Sequence, residues 1–246
     1  MIKHYENIKV ILVEPLGPIN VGSIARICEN FGIKEIRIVS PKCDLLDLKV
    51  KKMALKGMSL IKNAKCYLTL VDAIADCNRV VATCGRIDHG EIPLYSTETT
   101  LNWLIDGNPK NIIGIVFGRE DRGLTNQELL LAQKVLTINT SPSYPSLNLS
   151  HAVAIVLYEL SKCIGNCSKV NNHSNNNPAK PKELNDLIDA SQEFLIQIGF
   201  LYKHTALAKM QKIKSMLQRA EARSEEIALL RGILSQAKWF INKKND

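Results

Sequence analysis

Ser146-Leu147-Asn148-Leu149-Ser150-His151-Ala152-Val153 sets three polar side chains just ahead of an apolar run, Ala152 to Leu160, that reads as a buried helix. A helix start leaves backbone N–H groups unpaired and carries the positive end of the peptide dipole. Ser146 and Asn148 at that point make a place to hold an oxygen-rich ligand or to manage a hydroxyl proton. The same residues also read as an N-cap in front of a core helix. Segments elsewhere in the chain bear on the choice.

One is Asn20-Val21-Gly22-Ser23-Ile24-Ala25-Arg26, after the strand-like run Ile8 to Val13. Another is Phe117-Gly118-Arg119-Glu120-Asp121-Arg122-Gly123-Leu124, after the run Ile112 to Val116. Around them, short apolar runs alternate with amphipathic stretches. Strands are expected at Lys9–Val13, Glu35–Val39, Ala64–Tyr67, Arg79–Thr83, Asn111–Phe117 and Lys134–Asn139. Helices are expected at Gly22–Phe31, Leu45–Lys56, Leu70–Asp76, Thr97–Asp106, Asn126–Gln133 and Leu149–Cys163. Thr69-Leu70-Val71-Asp72 and Thr125-Asn126-Gln127-Glu128 have capping-box spacing, which starts a helix. This alternation predicts an α/β domain, a mostly parallel sheet with helices on both faces.

The chain of 246 residues fits one large domain or one medium domain with an extension, and 46% hydrophobic content is ordinary for a globular protein. No apolar run approaches the ~20 residues that span a bilayer. The N-terminus leads into a strand without a charged-then-apolar signal pattern, so the expected location is cytoplasmic and no membrane partner is expected. A net charge of +8 favours an anionic partner such as RNA. The seven cysteines are scattered, and the spacing of Cys163, Cys167 and His173 fits no zinc pattern, so no metal is expected.

Residues 165–181, rich in asparagine and closed by Pro178 and Pro181, read as a polar linker between a first domain, 1–164, and a second, 182–246. In the second, Leu184, Leu187, Ile188, Phe194, Leu195 and Ile198 recur at helical spacing, and later leucines continue the pattern. About three helices are expected. Between Lys203 and Arg223, Lys203, Lys209, Lys212, Lys214, Arg219 and Arg223 face one acid, Glu221. That is a solvated face or a phosphate-contacting one.

In chain order, N-x-G-x-x-x-R, F-G-x-E-x-x-G-L and S-L-N-L-S resemble the three signature motifs of the SPOUT RNA methyltransferases, TrmH branch, and within it the TrmJ-like tRNA 2'-O-methyltransferases. The likeness runs from about Lys9 to Leu160 and resumes at Leu217 to Leu234. It implies a C-terminal trefoil knot over roughly Asn111 to Leu160, an exception to unknotted chains. It also implies homodimers with sites at the interface, S-adenosyl-L-methionine as methyl donor, and a ribose 2'-hydroxyl of tRNA as acceptor, at anticodon-loop position 32. DNA is not an expected partner, and the small helical extension would help hold tRNA.

Methyl transfer to such a hydroxyl requires an oxygen held in line with the methyl and relieved of its proton as the bond forms. The resemblance gives Arg26 this duty, from the partner subunit. A guanidinium scarcely loses its proton, so a cation that stabilises the forming alkoxide and grips the adjacent phosphate is the easier role than a base. Asn20 and Gly22 are expected in a tight turn near substrate. Ser146 would orient the ribose or relay its proton, Asn148 would tie its loop together, and Glu120 would hold Arg26 or its own loop. The cofactor positions implied are Thr83, Cys84, Gly85, Gly118, Ile138, Pro145, Ser146 and Leu147. Arg86 could reach RNA or the cofactor carboxylate, while Asp88 stands where relatives often carry a second arginine.

Other readings remain. A relative of this branch could methylate another tRNA or rRNA ribose, or the fold could bind RNA without catalysis. A dinucleotide-binding dehydrogenase is opposed by the first turn, Glu14 to Gly22, which lacks G-x-G-x-x-G, and by a second strand that ends at Ser40-Pro41 without an acid.

Overall fold

The computed structural model describes residues 6–85, 90, 92–106, 108, 110–167 and 178–245. Arg86, Asp88 and the asparagines from 171 to 177 lie outside the described residues. The chain divides into two compact units, Met1–Asn175 and Asn176–Asp246.

The centre of the first unit is built on β-branched runs buried on both faces, with shorter and more exposed strands at the two edges. Ile8–Val13 (β1), Glu35–Val39 (β2), Lys65–Tyr67 (β3), Arg79–Thr83 (β4), Leu94–Ser96 (β5), Ile113–Phe117 (β6) and Lys134–Thr137 (β7) form one seven-stranded sheet. Its order is β3-β2-β1-β6-β4-β7-β5. Every pairing is parallel. A parallel sheet covered on both sides needs apolar residues on both faces, and alternate residues of each strand serve the two. Val10, Leu12, Ile36, Ile38, Ile115 and Phe117 pack with helices Pro18–Asn30 (α1), Leu48–Ala54 (α2), Thr97–Ile105 (α5) and Leu149–Cys167 (α7). Ile11, Val13, Val39, Val80, Ala82 and Val116 pack with Leu70–Ile74 (α4) and Asn126–Leu129 (α6). A 3-10 turn, Leu55–Gly57, and a short helix, Met58–Lys62 (α3), follow α2.

Several expected bounds move. The first helix begins at Pro18, not Gly22, because Gly17 takes the extended N-cap conformation and proline suits the first helical position. Asn20 and Gly22 are therefore helical residues, and the tight turn expected there is Glu14 to Gly17. A Cβ on Gly22 would lie 2.6 Å from the Val50 carbonyl oxygen and 2.8 Å from Met53 Cβ, so this glycine lets α2 ride against α1. The helix expected from Leu45 starts at Leu48, where Asp47 accepts a hydrogen bond from the Lys49 N–H. Helix α6 stops at Leu129 and β7 at Thr137, each short of its expected end. Thr69 and Thr125 cap as their spacing predicted, and Thr125 with Glu128 completes a reciprocal box.

One buried charge steadies the sheet. Arg37 is 1% exposed and donates to Glu35, to the Ala73 carbonyl and through both terminal nitrogens to Asp76. Satisfying a buried guanidinium on every side makes its desolvation tolerable.

The second unit contains Pro181–Gln197 (α8), Lys203–Arg219 (α9) and Ser224–Asn245 (α10), around Leu184, Leu187, Ile188, Leu201, Ala206, Met210 and Ile227. Lys203, Lys209, Lys212, Arg219 and Arg223 are exposed. Lys214 is not: it is 9% exposed, and burial brings its pKa down to about 8 despite the pull of Asp189. The expected six-membered basic face thus loses one member, because position 214 falls on the inward side with Met210.

Candidate active site

The C-terminal ends of the adjacent strands β6, β4 and β7 leave a crevice, the usual position for ligands in open parallel sheets. The segments after β1 and before α7 reach the same region. Glu120 joins them: its two oxygens accept from the backbone N–H groups of Leu16 and Gly17, each at 2.9 Å, and Oε1 also accepts from Asn20 Nδ2 at 3.1 Å. Asn20 Oδ1 in turn accepts from Asn148 Nδ2 at 3.0 Å. Asn148 Oδ1 takes the Ser150 N–H at 2.9 Å and the Ser150 hydroxyl at 2.7 Å, which caps α7. A single chain of hydrogen bonds therefore runs through residues of all three sequence motifs.

The loop after β6 is folded back tightly. Arg119 and Gly123 exchange backbone hydrogen bonds, and Gly123 has φ +66°, a left-handed conformation that glycine takes without strain. A Cβ on Gly118 would lie 2.4 Å from both the Gly123 carbonyl carbon and the Leu124 nitrogen, so no larger residue fits. Arg119, 8% exposed, locks this loop. It donates to Glu14 at 2.8 Å and makes a two-pronged contact with Glu128 at 2.8 Å on each prong. The guanidinium holds Glu14 below the usual carboxylate range. Burial raises the Glu128 pKa, but Arg119 and the Thr125 N–H outweigh it and the net shift is downward.

Between these loops lies a cavity of about 460 Å³, within the ~300–1,000 Å³ typical of small-molecule sites. All eight residues expected around a cofactor line it: Thr83, Cys84, Gly85, Gly118, Ile138, Pro145, Ser146 and Leu147. Phe117, Leu136, Leu149 and Ala152 add apolar wall, and Arg119 to Gly123 form the polar side. A Cβ on Gly85 would meet nothing nearer than the Pro145 carbonyl oxygen at 3.7 Å, so the mouth is open there. Thr140 Oγ1 donates to that carbonyl and fixes the loop before α7.

The expected catalytic residues divide. Glu120 and Ser146 line the cavity, and Ser146 is exposed with no hydrogen bond among the described residues. Asn20 stands one hydrogen bond behind Glu120. Arg26 does not line the cavity; it is exposed on α1, without a hydrogen bond or ion pair among the described residues. Within one chain Glu120 does not pair with Arg26; its oxygens serve the turn before α1 and Asn20. The unit of Arg119, Glu14 and Glu128 escapes sequence reasoning. The sequence marks Arg119 as a variable place within a motif and Glu128 as a cap, but gives no sign that the two meet Glu14.

Residues 7–158 match the model of the SpoU rRNA Methylase family, and residues 182–246 match that of the tRNA methyltransferase TrmJ C-terminal domain. The chain is 44% identical over 155 residues to the tRNA (cytidine-2'-O-)-methyltransferase TrmJ of Methanocaldococcus jannaschii, covering 62% of this chain and 66% of that protein. It is 30% identical over 242 residues to the tRNA (cytidine/uridine-2'-O-)-methyltransferase TrmJ of Citrobacter koseri, covering 94% and 96%. The crystal structure of TrmJ from Z. mobilis ZM4 superposes with a TM-score of 0.80 at 28% identity, over 94% of this chain and 98% of that one.

Proposed function

Since this chain belongs to the SpoU rRNA Methylase family and carries a TrmJ C-terminal domain, we propose that it transfers a methyl group from S-adenosyl-L-methionine to a ribose 2'-hydroxyl of tRNA, at the cytidine or uridine of anticodon-loop position 32. The observation that carries this reading is the hydrogen-bonded chain Glu120–Asn20–Asn148 beside a cavity lined by every residue expected to hold the methyl donor.

The residues fit that donor. Phe117, Leu136, Ile138 and Leu147 offer apolar wall to a flat heteroaromatic ring, while the loop backbones at 83–85 and 145–147 offer polar edges. Gly118 lets the motif-two loop fold back on itself along the cavity wall. When bound, the sulfonium supplies an electrophilic methyl. Everything else falls to the protein. Ser146, exposed at the rim, orients the ribose hydroxyl by hydrogen bonding and relays its proton to solvent as the oxygen takes up the methyl. Glu120 and Asn148 hold the flanking loops still, so that alignment costs little at the moment of reaction. A cation must meet the charge that develops on the ribose oxygen. Arg26 has no partner among the described residues and stands off its own cavity, which supports a homodimer in which Arg26 of the partner subunit reaches this site. The insertion of β6 between β1 and β4, with α7 following, supports a trefoil knot formed over 111–160. The exposed Lys203, Lys209, Lys212, Arg219 and Arg223 support a tRNA-contacting role for the helical extension. Among the described residues no helix is long and apolar enough to cross a membrane, in keeping with a cytoplasmic enzyme.

Incubation with unfractionated tRNA and methyl-labelled S-adenosyl-L-methionine, followed by nucleoside mapping, tests the proposal. Label is expected in a 2'-O-methylated pyrimidine at position 32. Label on a base, or no transfer, overturns it. Arg26→Ala should lower transfer by about 10²–10³-fold, the range for losing one charge-stabilising group, with cofactor binding retained.

A further inference from the structure

From Leu48 to Val71 the chain contains six lysines and no acid. One of them, Lys65, pairs with Glu35 at the sheet edge. The other five, Lys49, Lys51, Lys52, Lys56 and Lys62, are exposed and form no ion pair among the described residues. Val50, Ala54 and Gly57 recur at helical spacing, are buried, and turn toward α1. The lysines at 49, 51, 52 and 56 therefore fall off the packed stripe and onto solvent. The two acids just upstream, Asp44 and Asp47, form no ion pair with them among the described residues; each instead caps its own backbone, Asp44 Oδ1 accepting from the Leu46 N–H and Asp47 Oδ1 from the Lys49 N–H.

This patch is fixed to Arg26 by backbone packing. A Cβ on Gly57 would lie 2.4 Å from the Ala25 carbonyl oxygen and 2.8 Å from the Arg26 nitrogen. The 3-10 turn carrying Lys56 is thus laid directly on the peptide that joins Ala25 to Arg26. Like charges gathered on one exposed segment repel one another, and a bound anion relieves that repulsion. A polyanion whose charges repeat along a strand fits a row of separate ammonium groups better than one small ion does.

We propose that Lys49, Lys51, Lys52 and Lys56 form a phosphate-contacting surface on the catalytic unit, which grips the RNA backbone next to the nucleotide presented to Arg26. The inference rests on the tRNA reading above. It assigns to α2 and its following turn a share of RNA binding separate from that of the helical extension. Because Gly22 and Gly57 allow no slack between these elements and α1, RNA held on the lysines sets the position of Arg26 against its target ribose.

The full-length protein with all four lysines changed to glutamine is compared with wild type in binding unfractionated tRNA across a salt series, and in binding S-adenosyl-L-methionine by calorimetry. The expected result is tRNA affinity lower by about tenfold or more at physiological salt, with the slope of log affinity against log salt reduced by roughly one for each phosphate left unneutralised. Cofactor affinity should stay at the wild-type value. A matching set of lysine-to-arginine changes should keep both affinity and slope. Unchanged tRNA binding in the glutamine set overturns the proposal. So does a loss of both ligands that the arginine set fails to restore, or a changed oligomeric state with an unchanged salt slope. Wild-type protein that neither binds nor methylates tRNA overturns the function itself, a result distinct from wild-type activity with indifferent lysines.

Discussion

At the scale of single residues, the polar side chains of the three motifs are legible because their chemistry is scarce: an exposed serine before a helix, an asparagine that caps it, a carboxylate in a glycine loop. Their partners are not. Glu120 reaches back more than a hundred positions to the Leu16 and Gly17 N–H groups, and Arg119 joins Glu14 to Glu128. Such pairings depend on which strand ends become neighbours, and that information is absent from local spacing. Gly118 carries the sharpest prediction. A methyl group there would drive into backbone rather than into a side chain that can swing away. Gly118→Ala should therefore cost about 3 kcal/mol of stability, the upper end of overpacking effects. It should also weaken cofactor binding more than tenfold, or roughly 1.4 kcal/mol or more. Thermal unfolding and calorimetry check both, and wild-type cofactor affinity would show that the loop does not shape the cavity.

At the scale of elements, long runs with one dominant period are readable from sequence, while short ones escape. Leu94–Ser96 and Met58–Lys62 are too brief to display a period of two or of 3.6. The expected start of α1 falls four residues late because the motif glycine suggests a turn, although Gly17-Pro18 is the better helix-start signal. Helix α9 contains a different conflict, a lysine at an inward position. Below pH about 8, Lys214 is charged both folded and unfolded, and the folded state bears the cost of burying it. Between about 8 and its ordinary 10.5 the folded protein sheds this proton while the unfolded chain keeps it. The unfolded state then binds more protons, so stability rises with pH across that window and levels off above it. Lys214→Met should stabilise the helical unit at neutral pH by on the order of 1–3 kcal/mol. The advantage over wild type should shrink as pH climbs from 8 to 10.5. A difference independent of pH would mean that the gain comes from packing alone.

At the scale of the whole molecule, alternating strands and helices predict a parallel α/β sheet, and the sheet is parallel throughout. Strand order lies beyond reach of the sequence, since β6 sits between β1 and β4 through pairings far apart along the chain. The second unit has its own core and none of the cavity-lining residues. Deleting 178–246 should therefore leave S-adenosyl-L-methionine affinity within about twofold while weakening tRNA binding by about tenfold or more, the scale expected when several phosphates go unneutralised. Equal loss of both ligands, or loss of neither, would remove the extension from the RNA-binding surface.

The Glu120–Asn20–Asn148 link has a consequence for synthesis. No fragment that ends before residue 148 possesses all three members, so the crevice cannot be finished piecemeal. A nascent polypeptide would stay blind to its small-molecule ligand until the start of α7 had left the ribosome. From then on, ligand capture would report that the catalytic half had matured.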